Sequence, residues 1–211
     1  NVIYRNNAAD FQVTNKDISR INYNDFGALL ATGTVLACEP SRSATFLAFE
    51  KAKEAGLPII FDIDYRPYSW SSPEIASDVL TQAGKQSDLL IGNDEEFDFM
   101  AGGIKKGLKV AERLAKNSER IVIYKMGSEG AITFASGKEI RTGIFPAAPV
   151  KPNGAGDSFM AGLLSSISEG RDLTEAIYRG SACAAIVVSK PGCAPAMPTH
   201  DQLDAFMKKH P

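Results

Sequence analysis

The sequence is poor in the residues that build metal centres, disulfide frameworks and histidine-based catalytic sites, holding three cysteines and two histidines in 211 residues. Cys38, Cys183 and Cys193 are odd in number and lack Cys-x-x-Cys spacing, so they are read as reduced core or loop thiols. His200 and His210 both fall in a charged stretch that reads as a terminal helix. A His-based triad or metal centre is therefore not expected. No apolar run approaches the roughly 20 residues that a membrane-crossing helix needs, and the opening Asn1 to Asn7 has no apolar signal core. No basic run follows a phosphate backbone, since 23 Lys and Arg face 25 Asp and Glu for a net charge of -2. Neither nucleic acid nor membrane is expected as a partner, and a cytoplasmic location is. The Gly-x-x-x-x-Gly-Lys-Ser/Thr pattern is absent, which excludes a P-loop enzyme.

What is present is an even spread of apolar segments, 44% hydrophobic residues in all, enough for one core and one domain over residues 1–211. Gly27 to Leu36 is apolar and ends in turn chemistry, and Ser41 to Ala55 has helical spacing that stops at Gly56. Leu57 to Ile63 reads as a strand, and Pro73 to Lys85 as a helix with proline in its first turn. Asp88 to Ile91 reads as a short strand, and Asn93-Asp-Glu-Glu96 as a capped helix start with acids at the positive end of its dipole. An amphipathic helix over Ile104 to Lys116, a strand over Arg120 to Lys125 and a hairpin around Ser136-Gly137 follow. Three helices close the pattern, reaching to about Ser168, over Leu173 to Ser189 and over Thr199 to Lys209. Alternating strands and helices predict an α/β fold, three-layered with a mostly parallel central sheet. Ligands of such sheets bind at the carboxyl ends of the strands. The chain starts at Asn1 in mid-pattern, so it is expected to be a fragment of a longer protein.

The segment with most chemistry is Lys151-Pro-Asn-Gly-Ala-Gly-Asp157-Ser-Phe-Met-Ala-Gly162, a small-residue turn entering an apolar helix. Gly154, Ala155 and Gly156 leave backbone N–H groups uncovered at a helix N-terminus, where orphan donors and dipole favour an anion. A β-branched side chain at Gly156 is expected to crowd these donors and to resist any unusual backbone angle there. Asp157 beside a bound phosphate could take a proton from an attacking hydroxyl while the amides stabilise the transferring charge. The same residues also suit a tight turn followed by a capping acid.

This run resembles the C-terminal signature of the ribokinase-like, or PfkB, sugar kinases. The resemblance implies ATP and magnesium as cofactors, Asp157 as catalytic base, and Gly154, Ala155 and Gly156 as the anion hole for the transferring phosphoryl group. Asn93 and Glu96 resemble the family's Asn-x-x-Glu element, which implies a place near the phosphates, with Glu96 contributing indirectly to the metal; a plain capping box reads equally well. Lys125-Met-Gly127-Ser-Glu-Gly130 resembles the strand and loop beside the nucleotide, although glycines after a strand are commonly turns. Cys183-Ala-Ala and the Gly192-Cys-Ala loop fall where the family lines its adenine pocket, or are small residues for packing.

Phe61-Asp-Ile-Asp-Tyr-Arg66-Pro-Tyr-Ser-Trp70 resembles the Asp-x-Asn-x-Arg-x-x-x-Trp element of the members that act on keto-deoxy sugar acids, with Asp64 in place of the Asn. Tyr4-Arg5-Asn-Asn7-Ala-Ala-Asp10 and Lys151-Pro152 point the same way. Asp62, Asp64 and Arg66 are thereby expected at the substrate, a sugar acid, since an arginine at a strand end can bind a carboxylate through two parallel N–H bonds. A surface ion pair is the other reading of Arg66. Many members have Asp-Thr where this chain has Lys151-Pro152, and the Lys151 ammonium is expected to replace a monovalent cation. The resemblance covers the last two-thirds of a family member, so the N-terminal part and the β lid are expected to be missing. A sheet edge without its leading strands could pair with a second copy, which leaves a homodimer open.

Overall fold

A computed structural model of the chain describes residues 7–116, 119–150 and 153–210. The chain divides into two compact units, Asn1–Met126 with Ile132–Glu139, and Gly127–Ala131 with Ile140–Pro211.

The first unit is built on the strands β1 (Leu29–Thr32), β2 (Ile59–Asp62), β3 (Leu89–Asn93) and β4 (Ile121–Lys125). They pair in parallel, each with the next, and the register sets Thr32 against Asp62 and Asn93 against Lys125. β5 (Ala131–Ala135) and β6 (Lys138–Thr142) form the expected hairpin through Ser136 and Gly137, and extend the sheet order to β1-β2-β3-β4-β5-β6. Apolar runs without alternation mark strands covered on both faces. Accordingly Ile59, Phe61, Leu90, Ile91, Val122 and Ile123 are all fully buried.

The connecting helices are α1 (Asn15–Ile18), α2 (Ser41–Glu54), α3 (Pro73–Gln86), α4 (Asp94–Met100) and α5 (Gly107–Ala115). Their inward residues Phe49, Ala52, Ala76, Leu80, Phe97 and Ala111 lose all solvent contact, and each large apolar side chain so placed contributes about 1.5–3 kcal/mol. Ser72 accepts the Ile75 N–H and Pro73 opens α3, the start chemistry its sequence specifies.

Two segments depart from expectation. The apolar Gly27 to Leu36 is extended only over β1; a 3-10 turn takes over at Gly33–Leu36, where the Thr32 and Thr34 hydroxyls meet at 2.9 Å. The helix expected from Ile104 begins three residues later, because the Asp98 carboxylate accepts the Lys105 and Gly107 N–H groups at 2.6 and 2.7 Å and holds Lys105 at φ 61°. Ile104 is left 84% exposed by that turn.

The second unit carries α6 (Ala155–Ser168), α7 (Leu173–Val188) and α8 (His200–Lys209). Thr199 and Gln202 form a capping box at α8, and Asp172 caps α7 by accepting the Glu175 N–H at 2.9 Å. Ala182, Cys183, Ile186 and Leu203 form its buried cluster, with Phe145 and Phe206 packed against it. Among the described residues no helix is long and apolar enough to cross a membrane.

Candidate active site

In the first unit, the expected substrate and nucleotide residues gather at the carboxyl ends of β2, β3 and β4. Asp62 is the last residue of β2, and the chain then turns through Asp64, whose φ of 36° is a left-handed value. Asp and Asn tolerate that region better than other side chains do. Arg66 stands on the same turn. One of its guanidinium nitrogens contacts Asp64 Oδ1, and the other donates to the Tyr65 carbonyl at 3.0 Å and lies 3.8 Å from Glu96 Oε1.

Glu96 opens α4 and is 6% exposed. Asn93 Oδ1 accepts the Glu96 N–H and Glu96 Oε2 accepts the Asn93 N–H, both at 2.8 Å. Glu96 Oε1 accepts the Tyr65 N–H at 3.3 Å. Burial pushes this carboxyl above its ordinary range, opposed by the hydrogen bond from Asn93 and by the charges of Lys125 and Arg66, and reinforced by Asp64. The capping-box reading of Asn93 and Glu96 is thus realised in the fold. Lys125, half-buried at the end of β4, pairs in register with Asn93.

In the second unit, the glycine turn precedes α6. Gly154 is the N-cap residue at φ 82° and Ala155 is the first residue of the helix. Gly156 lies inside α6, and the left-handed backbone angle of this turn belongs to Gly154. A side chain at Gly154 would also meet Cys193 Cβ at 3.2 Å and Val187 at 3.4 Å. Asp157 is exposed in the first turn of α6. The N–H groups of such a first turn have no partner inside the helix and point outward along its axis, toward any anion bound there. Gly127 and Gly130 flank a 3-10 turn, and a Cβ at Gly130 would lie 2.0 Å from the Thr142 carbonyl oxygen, so no side chain fits there. Gly192 is exposed at φ 81°. Cys183 is buried, Cys38 half-buried and Cys193 exposed. Lys151 and Pro152, and Tyr4 and Arg5, lie outside the described residues.

A model of the pfkB family of carbohydrate kinases matches residues 1–200. The chain belongs to this family. A similar relative is the 5-dehydro-2-deoxygluconokinase of Geobacillus thermodenitrificans, 39% identical over 98% of this chain and 63% of its own length. The chain thus spans 63% of that pfkB relative. Among solved structures, the Vibrio cholerae fructokinase with fructose, ADP and calcium aligns with a TM-score of 0.77 at 26% identity, over 88% of this chain and 64% of the other. The Xylella fastidiosa fructokinase with bound ATP shares the fold alone, at TM-score 0.87 and 18% identity over 96% and 68%. The pfkB likeness establishes the α/β, ribokinase-like fold with its mostly parallel sheet.

Three features of the first unit were missed by sequence reasoning. Tyr65 stacks on Phe99 with ring centroids 3.8 Å apart. Asp98 ties down the loop before α5 through two backbone amides. Arg42 donates to the Leu36 and Ala37 carbonyls at 2.7 Å each, and lies 5.7 Å from the centre of the buried Trp70 ring. The Asp-Phe-x-x-Gly-Gly spacing after Glu96 was the one available signal for the second. Neither the stack nor the Arg42 contact has a local signature.

Two open depressions contain none of the expected site residues. One of about 890 Å³ is lined by Phe145, Tyr178 and Met207, and one of about 760 Å³ by Tyr65, Glu74, Phe99 and Ile104.

Proposed function

We propose that the chain is the nucleotide-binding and catalytic part of a kinase that transfers the ATP γ-phosphoryl group to a primary hydroxyl of a keto-deoxy sugar acid. 5-Dehydro-2-deoxygluconate is the substrate we assign. The observation that carries the assignment is Arg66 at the carboxyl end of β2, in an element shared in type with acid-acting kinases. The name of the relative 39% identical over 98% of the chain supports it.

Asp157 accepts the proton of the attacking hydroxyl, and the oxygen then displaces ADP at the γ-phosphorus. The N–H groups of Gly154, Ala155 and Gly156 stabilise the charge on the transferring group. Asn93, Lys125, Gly127, Gly130 and Gly192 serve the nucleotide. Asp62, Asp64 and Arg66 serve the sugar acid, Arg66 through its carboxylate. Among the described residues no three of His, Cys, Asp and Glu gather as a metal-binding group. Magnesium would be held chiefly by the nucleotide phosphates, with Glu96 acting through water. When bound, the ion neutralises phosphate charge. A cytoplasmic location, a single catalytic domain and a homodimer belong to the same reading.

A second reading has its own support. Arg66 already carries Asp64 as a counter-ion, and a neutral sugar would leave that pair intact, as in a fructokinase of the same fold; a 2-keto-3-deoxygluconate kinase, whose substrate is also an acid, is the alternative that keeps the Arg66 contact. A nucleotide-binding fragment without turnover is a third. A coupled assay of the full-length protein on 5-dehydro-2-deoxygluconate, 2-keto-3-deoxygluconate and fructose separates them. The acid reading expects a specificity constant for 5-dehydro-2-deoxygluconate far above that for fructose, and equal or reversed constants sink it. Should Lys151 replace the monovalent cation, turnover in potassium should match that in tetramethylammonium; several-fold activation by potassium removes the idea.

A further inference from the structure

Glu96 has both carboxylate oxygens committed, and to different parts of the chain. Oε2 accepts the Asn93 N–H at 2.8 Å within its own capping box. Oε1 reaches the turn after β2, where it accepts the Tyr65 N–H at 3.3 Å and stands 3.8 Å from the Arg66 guanidinium. A capping box needs only the first of these contacts. The second costs desolvation of a carboxylate that is 6% exposed, and burial of such a group is retained only where its partners repay it.

The turn it grips needs holding. Asp64 sits at φ 36°, a region that L side chains visit sparingly. Tyr65, the next residue, is fixed on its other side by the stack on Phe99, which belongs to the same helix as Glu96. Arg66 therefore projects from a turn pinned to α4 at two points, one polar and one aromatic. A two-point hydrogen bond from a guanidinium to a carboxylate tolerates little misorientation.

We infer that Glu96 is a positioning residue for substrate selection: by holding the Tyr65 amide and flanking Arg66, it sets the orientation in which Arg66 meets the carboxylate of a sugar acid. The inference rests on the acid-kinase reading above and adds a substrate-side task to a residue otherwise assigned to the phosphates. Nucleotide-side effects of Glu96 act on every acceptor sugar alike, so they cancel in the ratio of specificity constants for an acid and a neutral sugar.

The test uses the full-length protein with Glu96→Ala, Glu96→Gln, Arg66→Met and the Glu96→Ala/Arg66→Met pair, assayed on 5-dehydro-2-deoxygluconate and fructose. Glu96→Ala should lower the acid-to-fructose ratio by about 10-fold or more, mainly through KM for the acid. Glu96→Gln keeps one acceptor oxygen and should recover part of the ratio. The pair should lose no more ratio than Arg66→Met alone, because both changes disable one device. Hydrogen exchange gives a readout free of substrate: the Tyr65 amide should be protected in wild type, fast in Glu96→Ala and slowed again in Glu96→Gln. Equal losses on both sugars, additive losses in the pair, or an unchanged Tyr65 amide each overturn the positioning role. A wild-type enzyme without acid preference, or Arg66→Met with an unchanged ratio, sinks the acid-kinase reading and the selection role with it; Tyr65 exchange still reports whether Glu96 holds the turn. If Glu96→Ala fails to fold, Glu96→Leu, which fills the buried site without an acceptor, decides by the same ratio and the same amide.

Discussion

The turn after β2 and the turn before α6 both present charge-handling groups at the end of an element, but they are built in opposite ways. The first is braced by side chains. Arg66 stands between the carboxylates of Asp64 and Glu96, Glu96 also holds two backbone amides, and Tyr65 is clamped on Phe99. The second is made of backbone, with a left-handed Gly154 followed by the open first turn of α6 and an exposed Asp157. Side-chain bracing sets where one functional group points and can be retuned by single substitutions. A glycine turn offers amides to any phosphate and carries no selectivity of its own. On the proposed reading, selection belongs to the first turn and chemistry to the second.

The largest effect expected from breaking it lies at the chemical end. Asp157→Asn in the full-length protein should lower kcat by about 10²- to 10⁴-fold on acid and neutral sugars alike, with fold and ATP affinity kept, because the amide cannot take the proton. Circular dichroism, calorimetric ATP titration and turnover check the three parts, and near wild-type turnover would remove Asp157 from its role. Arg66→Met should act on one substrate class only. It deletes the fork of donors while keeping the apolar stem, and should lower the acid specificity constant by about 30- to 1000-fold, or 2–4 kcal/mol, while fructose changes little. Arg66→Lys should restore part of this.

Gly154→Ala comes next. A Cβ at φ 82°, 3.2 Å from Cys193 Cβ, should cost about 1 kcal/mol or more of stability and weaken ATP binding on calorimetry. Unchanged stability and binding would mean that the turn relaxes freely. The smallest effect belongs to the pH response of the braced turn. Burial raises the Glu96 carboxyl above its ordinary value of 4.5, so between that value and the folded one the native state binds more protons than the unfolded state. Stability from this group is present at low pH and is lost as pH rises through that window. Glu96→Gln should flatten that fall in a series of denaturant melts; an identical pH profile would count against it.

The division of labour also separates what sequence could show from what it could not. Gly154 to Asp157 were legible because a glycine turn entering an apolar helix is a local pattern, and its meaning is carried by consecutive amides. Asn93 and Glu96 were legible as a capping box for the same reason. The contact from Glu96 to the Tyr65 amide spans 31 positions and depends on parallel pairing of β2 with β3, which no local spacing encodes. Element types were recovered because strands and helices differ in period. One boundary slipped where a side chain outside the element decided it, as Asp98 does before α5, and another where the strand gives way to a 3-10 turn at Gly33.

The packing of α6 on α7 has one more consequence. A Cβ at Gly162 would lie 2.8 Å from Cys183 Sγ, and one at Gly180 would lie 2.7 Å from the Phe159 carbonyl oxygen, so the two helices run closer than a methyl group allows. Burial there pushes the Cys183 thiol up to about 11, and at neutral pH almost none of it is the reactive thiolate. Alkylation of Cys183 must then wait for the helices to part. Its rate, followed by mass spectrometry against the exposed Cys193, becomes a chemical clock for the opening of this helix pair. Run with and without ATP, the clock reports whether the nucleotide steadies the helix that carries Asp157.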